Sequence, residues 1–388
     1  MPVKSHTPSV TMFGRRWMAL LLLSFWGFVS LAGALTAVQS EWRMNAKPLQ
    51  DYLAPFSGAG LVHMLAMENH YFSQATPTPP PNVQHLTLQA ISTLQPEDHR
   101  TLLGKELPGF TTFDGDIIVA GEGTDYTTLP IESAPPLEVL EKEREASALA
   151  LKGEEGPSLS PPLQTTGDRD VVYIYHTHSR ESFLPMLPDV TNPNEAFHTE
   201  ANITLVGKKL GEALEKRGIG TAVNTEDITG QLLANDATYA QSYDFSKPVV
   251  KEAIANNDDL TFFFDLHRDA LRKKDTTVTI NNKAYARTVF VIGGEHARYE
   301  ENLALAKELN QRLEADYPGL SRGITKKQGP GTNGKFNQDL SPNAILIEFG
   351  GVDNTSEELY RTAEAIADVF ADYYWEAEKV NTEGGTSE

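Results

Sequence analysis

The sequence predicts an α/β fold, an open mixed sheet flanked by helices, placed after an N-terminal transmembrane helix and a linker-rich stalk. Three observations lead there. From Asp168 onward, apolar runs of strand length alternate with helical stretches of about 12–20 residues. Trp17 to Val38 carries no charge. Between these two regions, proline-rich segments break the chain repeatedly.

The apolar run comes first. Lys4, Arg15 and Arg16 precede Trp17–Val38. About twenty apolar residues cross roughly 30 Å of hydrocarbon, and basic residues before the span hold that end in the cytoplasm. The expected order is a cytoplasmic N-terminus at 1–16, the span at 17–38 and an extracytoplasmic remainder. A cleaved signal peptide ending at Ala32-Gly33-Ala34 is the rival reading, but its apolar core usually runs only about 7–15 residues. Residues 39–166 read as a stalk or accessory region. Thr76-Pro77-Thr78-Pro79-Pro80-Pro81 makes a stiff linker and Gly153–Pro162 a flexible one, with a helix at Leu86–Leu103 and a strand at Asp116–Ala120 between them. Pro135-Pro136 leads into a charged, solvated helical stretch, Leu137–Leu151.

Residues 167–379 carry the α/β pattern, and 380–388 form a polar tail. Val171–Tyr175 is continuously apolar, as suits a central strand buried on both faces. Ala201–Arg217 follows as an amphipathic helix with Leu205, Leu210 and Leu214 inward and Gly218 closing it. Further strands are expected at Thr221–Val223, Leu260–Phe264, Thr276–Ile280, Thr288–Ile292 and Ala344–Ile347, and helices at Lys247–Asn256, Ala297–Asp316 and Ser356–Glu378. Asn281-Asn282 marks a hairpin, which makes one sheet edge antiparallel.

Composition narrows the chemistry. The chain has 388 residues, 33 basic and 53 acidic side chains, a formal charge of −20 and no cysteine. An acidic excess argues against nucleic-acid binding, which needs clustered Lys and Arg. Thiol nucleophiles, thiolate metal sites and iron–sulfur clusters are excluded. The phosphate-loop look of Gly329–Phe336 fails on spacing and on Phe336, where Ser or Thr should follow Lys335. No GxSxG elbow or HExxH helix is present.

His, Asp and Glu remain, and they cluster at three strand ends, where ligands bind in open α/β sheets. Val171–Tyr175 runs into His176-Thr177-His178-Ser179-Arg180-Glu181, Phe262–Phe264 into Asp265-Leu266-His267-Arg268-Asp269, and Ile345–Ile347 into Glu348. Zinc in a hydrolase needs three such ligands, an open position for water, and a carboxylate to take that water's proton. Of the first pair, His178 is favoured over His176. It lies farther past the strand, and its HxxE spacing lets Glu181 reach the same ion. His267 emerges from three phenylalanines. Asp265 and Asp269 are either partners that orient an imidazole or simple loop caps. Glu348 stands at a buried edge, where a carboxylate is costly without a function or an ion pair to Arg268 or Arg272.

Tyr173–Phe183, Phe264–Asp269, Asn333–Asn343 and Leu346–Asn354 together resemble stage II sporulation protein P of endospore-forming bacteria, a resemblance that runs from about Asp168 to Trp375. It implies a single membrane span and an exported domain similar to zinc-dependent N-acetylmuramoyl-L-alanine amidases and zinc carboxypeptidases. It also implies cleavage of the muramoyl–alanine amide and peptide cross-links of peptidoglycan at the septal and engulfing membranes during sporulation. Stage II sporulation proteins D and M are the implied partners. Carried over, His178 and His267 become Zn2+ ligands and Glu348 the general base. The third ligand is Glu181 if the HxxE pattern applies, or Glu200 if the ligand opens the first helix; the local closure of HxxE favours Glu181. Arg268 and the Gly329–Gly334 loop, Asn333 within it, are candidates to hold substrate. A wall-binding scaffold without turnover and a membrane-tethered metallopeptidase acting on proteins are the alternatives. Removing the three basic residues before Glu41 leaves 30 basic against 53 acidic residues, a charge of −23 on the exported part. Net attraction to an anionic wall is therefore excluded as the means of localisation.

Overall fold

Strands β2 (Asp170–Tyr175), β4 (Phe262–Asp269) and β9 (Ala344–Gly351) are buried along nearly their whole length and lie side by side. The structure is a computed structural model that describes residues 115–130, 135–142, 145–147, 161–329 and 332–384. Trp17–Val38, Thr76–Pro81 and Leu86–Leu103 lie outside them. Among the described residues no helix is long and apolar enough to cross a membrane.

In chain order the elements are β1 (Asp116–Ala120), α1 (Leu137–Glu141), β2, α2 (Ile203–Glu215), β3 (Gly220–Val223), α3 (Ile228–Ala234), α4 (Ser242–Asn256) and β4. They continue with α5 (Lys273–Thr276), β5 (Thr277–Ile280), β6 (Lys283–Ala286), β7 (Thr288–Gly293), α6 (Tyr299–Asp316), β8 (Ser321–Lys327), β9 and α7 (Ser356–Gly384). The main sheet is mixed and flanked by helices, with strand order β1-β8-β7-β9-β4-β2-β3. β9, β4, β2 and β3 are parallel; β7 opposes β9, β8 follows β7, and β1 opposes β8.

The two faces of the sheet differ. Val172, Ile174, Phe264, Leu266, Ile345 and Ile347 meet α2, α6 and α7 in one large apolar cluster. The opposite face is thinner, with Tyr173, Tyr175 and Phe263 against Val250 of α4, and Leu346 and Val291 against Tyr243 and Phe336. Residue alternation sends Asp265, His267 and Glu348 to this α4 face. The long apolar cluster fixes the sheet; the thin side has room for polar groups.

Four expectations are corrected. Among the described residues of Leu137–Leu151 the helix ends at Glu141; Lys142 turns to extended backbone, and the Leu140 carbonyl accepts a hydrogen bond from Arg180. The Asn281-Asn282 hairpin forms, with both residues at positive φ, but β5–β6 is a separate two-stranded sheet. The antiparallel pairs of the main sheet are instead β7–β9 and β1–β8. The strands expected to stop at Phe264 and Ile347 continue through their polar ends, because these pair with each other as His267↔Glu348 and Asp269↔Gly351. The strand at Asp116–Ala120, read as part of a stalk, is the edge of the main sheet.

His176 explains how closely α2 can approach. Its Nδ1 lies 3.0 Å from the Asn224 carbonyl, and burial holds its pKa down at about 4. The ring fills the space beside Gly207, where an added Cβ would collide with its Nε2. Gly207→Ala should therefore cost about 1–3 kcal/mol by overpacking, seen as a lower midpoint in denaturant unfolding at an unchanged m-value.

Candidate metal centre

The turn after β2 creates the first half of the site. An extended chain would send His176 and His178 to one face, but the Glu181 N–H donates to the His178 carbonyl (3.0 Å) and closes the segment into a turn. His176 stays against α2, while His178 reaches the α4 side beside Glu181, its Nδ1 3.3 Å from Oε1. Neighbouring backbone secures the turn: Ile203 N–H donates to the Glu181 carbonyl, and Glu181 bridges to Phe197.

β4 supplies the second half. Its ladder with β9 shifts register between His267 and Asp269, which leaves Arg268 out of the pairing. The Arg268 N–H donates instead to Glu181 Oε2 (2.8 Å). The same oxygen lies 3.7 Å from His267 Nδ1. His178, Glu181 and His267 each offer one ligand atom, all within 4.8 Å of one another, and all three residues are buried.

This set fits a metal. His178 Nδ1 and His267 Nδ1 are buried with no directed hydrogen-bond partner, an arrangement that costs free energy unless something is bound there. Two imidazoles and a carboxylate converging from three sides are the donors that zinc takes with a fourth position left open. The charge balance points the same way. Burial lowers the pKa of His267, yet Asp265, Glu181 and Glu348 together raise it to about 10, so the pocket demands positive charge. Burial opposes ionisation of Glu181, but His178, His267 and Arg268 hold its pKa at about 2.

Glu348 sits beside His267 on β9 and is 2% exposed, with Oε2 lacking a hydrogen-bond partner. Neither arginine weighed for it pairs with it. Arg272 binds Asp353, and the Arg268 guanidinium turns to the Ala196 carbonyl and lies over the Phe197 ring. Burial, followed by the neighbouring Asp269, pushes the Glu348 carboxyl up to about 8.

The other sequence candidates fall elsewhere. Glu200 is exposed, precedes the Asn202 cap of α2 and is not in the ligand group. Asn333 is exposed, and its Oδ1 accepts the N–H groups of Lys335 and Phe336 to shape the loop. The ends of that loop are tied to Glu295, through its Oε1 at Gly329 and its N–H at Gly334. Asp269 is spent on the fully buried Arg322 (2.6 Å). Sequence reading had missed the aromatic wall. Tyr239 stacks on His178 with ring centres 4.3 Å apart, and Tyr243 stacks on His267 at 6.2 Å. Their spacing of four residues was the only available signal, and it is equally that of an ordinary helix contact.

Residues 97–371 match the family model described as Stage II sporulation protein P. A protein named stage II sporulation protein P, from Bacillus subtilis (strain 168), is 47% identical over 372 residues, covering 94% of this chain and 93% of that protein. Among solved structures, a metallo-carboxypeptidase from Burkholderia cenocepacia is 11% identical over 53% of this chain and 57% of its own, at a TM-score of 0.28. That superposition is too loose to bear on chemistry.

Removing a ligand should separate the two carboxylate candidates. Zinc affinity, measured by competition with a chromogenic chelator, is expected to fall at least 100-fold in His178→Ala, Glu181→Gln and His267→Ala, on the order of what a lost ligand costs. Glu200→Gln should bind as the unaltered protein does.

Proposed function

The chain belongs to the stage II sporulation protein P family, and we propose that it is a zinc-dependent peptidoglycan hydrolase, an N-acetylmuramoyl-L-alanine amidase that also cuts peptide cross-links during septal thinning and engulfment. The observation that carries this reading is the buried His178–Glu181–His267 donor set with Glu348 on the neighbouring strand. The amidase- and carboxypeptidase-like character of the domain, the membrane anchor at Trp17–Val38 with the catalytic domain outside, and company with stage II sporulation proteins D and M belong to the same proposal.

Zinc held by these three residues would supply Lewis-acid polarisation of the scissile carbonyl and acidify water. The chain's own groups do the rest. Glu348 is a buried carboxylate without an ion-pair partner among the basic side chains weighed for it, and it takes a proton at Oε2 and returns it to the departing nitrogen. A bound cation favours its ionised form, so the pKa that burial pushes up to about 8 is drawn back toward neutral pH, where a proton carrier works best. Tyr239 and Tyr243 fix the imidazole planes. Arg268, with its guanidinium on Ala196 and Phe197, braces the wall beside Glu181.

Glu348→Gln keeps the size of the side chain and removes its basicity. The variant should fold, retain zinc and digest purified peptidoglycan about 10²–10⁴-fold more slowly. Mass spectrometry of the unaltered protein's digest should show freed muramic lactyl groups and fewer cross-linked peptides. Full activity of the variant, or undiminished hydrolysis after exhaustive chelation, would remove the proposal.

A further inference from the structure

Behind His267 runs a chain of buried polar groups drawn from four separate segments. His267 Nε2 lies 3.2 Å from Asp265 Oδ1, within ion-pair reach but not aligned as a directed hydrogen bond, and closer to a carboxylate than Nδ1 is to Glu181 Oε2 at 3.7 Å. Asp265 accepts two hydrogen bonds from Thr177, the N–H at Oδ1 (2.9 Å) and the hydroxyl at Oδ2 (2.6 Å). Thr177 Oγ1 lies 2.8 Å from Ser246 Oγ, and Asn337 Nδ2 lies 2.8 Å from the same Ser246 oxygen. Every one of these side chains is buried.

The Thr177 hydroxyl sets the sense of this chain. Thr177 has one hydroxyl proton and spends it on Asp265, so Ser246 is the donor in its 2.8 Å contact with Thr177, which is shorter than its 3.5 Å approach to the Tyr243 carbonyl. Ser246 then accepts from Asn337. The Asn337 amide is oriented by a second acceptor, because Nδ2 also faces the Tyr243 carbonyl. The chain thus runs from Asn337 through Ser246 and Thr177 to Asp265, whose Oδ1 is the carboxylate oxygen nearest His267 Nε2.

The far end is built at a conformational cost. Phe336 and Asn337 are consecutive non-glycine residues with φ of 52° and 54°, a left-handed pair that persists only where its surroundings over-determine it. Here both side chains are used: Phe336 packs edge-on against Tyr243, and Asn337 delivers its amide to Ser246.

We propose that Asp265, Thr177, Ser246 and Asn337 are positioning residues that keep the His267 proton on Nε2 and leave Nδ1 to the metal, tying metal affinity to the left-handed turn at Phe336–Asn337. The metal side of this rests on the zinc reading above; the proton placement does not. A carboxylate on the outer nitrogen of a ligating imidazole sets its tautomer and orientation and raises its basicity. The relay extends that support across the α4 face, from a loop more than sixty residues along the chain from His267.

Two measurements on the full chain test it. Thr177→Val should weaken zinc binding about 10–100-fold, Ser246→Ala should weaken it less, and Thr177→Ser should restore it. In protein labelled with ¹⁵N-histidine, the His267 Nε2–H resonance should exchange slowly with solvent, and faster in both weakened variants, with or without zinc. Thr362→Val, which removes a buried hydroxyl bonded to Ala286 elsewhere in the fold, should lower Tm and change neither reading. Unaltered zinc affinity and unaltered N–H exchange in Thr177→Val, or a His267 ring without a proton on Nε2, would overturn the relay. If the unaltered protein binds no zinc, the hydrolase reading fails, and the N–H exchange alone decides for or against the relay.

Discussion

The parallel pairing of β4 with β9 sets His267 beside Glu348, and the rest of the site is arranged around that register. The apolar partners of these strands hold it. Phe264 lies opposite Ile345 and Leu266 opposite Ile347, all on the side packed by α2, α6 and α7. A slip of one residue would turn every side chain of a strand to the other face. Glu348 or His267 would then enter the apolar cluster, and Phe264 or Ile347 the polar pocket. The core therefore acts as the ruler for the chemistry on the opposite face.

On that opposite face the constraint is charge. Glu181, Asp265, Asp269 and Glu348 are all buried near His267. Buried carboxylates persist when each has a partner, and the partners differ in kind. Asp269 has Arg322, whose other amino group binds the Thr128 carbonyl. Asp265 has the N–H and hydroxyl of Thr177. Glu181 has the Arg268 N–H and the His267 imidazole at Oε2 and the His178 imidazole at Oε1. Glu348 is the carboxylate that its neighbours disfavour, and this separates its role from that of the others.

How much of this could be read in the sequence follows from what each element is made of. The continuous apolar runs at Val171–Tyr175 and Thr288–Ile292 announced buried strands, and β2 and β7 stand there. β8 went unread because Ser321–Lys327 offers one apolar side chain, Ile324, among polar and basic ones. Its strand character comes from pairing with β1 and β7, which no local pattern records. The polar ends of β4 and β9 were legible as chemistry but not as strand, for the same reason. Spacing sufficed to bring His178 and Glu181 together, since a turn of four residues is a local matter. Ser246 and Asn337 carried no signal, because a serine in a helix and an asparagine in a loop become a relay only when α4 lies across the sheet.

β1 changes what counts as the working domain. It belongs to the segment before the Gly153–Pro162 linker, yet it covers the outer edge of β8 through Asp116↔Lys326 and Ala120↔Gly323. A polypeptide started at residue 167 would keep every proposed ligand and lose this cover. Its β8 would present bare N–H and C=O groups, a template for strands of neighbouring molecules. It would also leave Arg322 without the Thr128 carbonyl that helps hold it against Asp269. The segments before and after that linker thus contribute strands to one sheet. The face that carries His178, Glu181 and His267 is therefore fixed to chain on both sides of that stretch, by β1 as well as by β2.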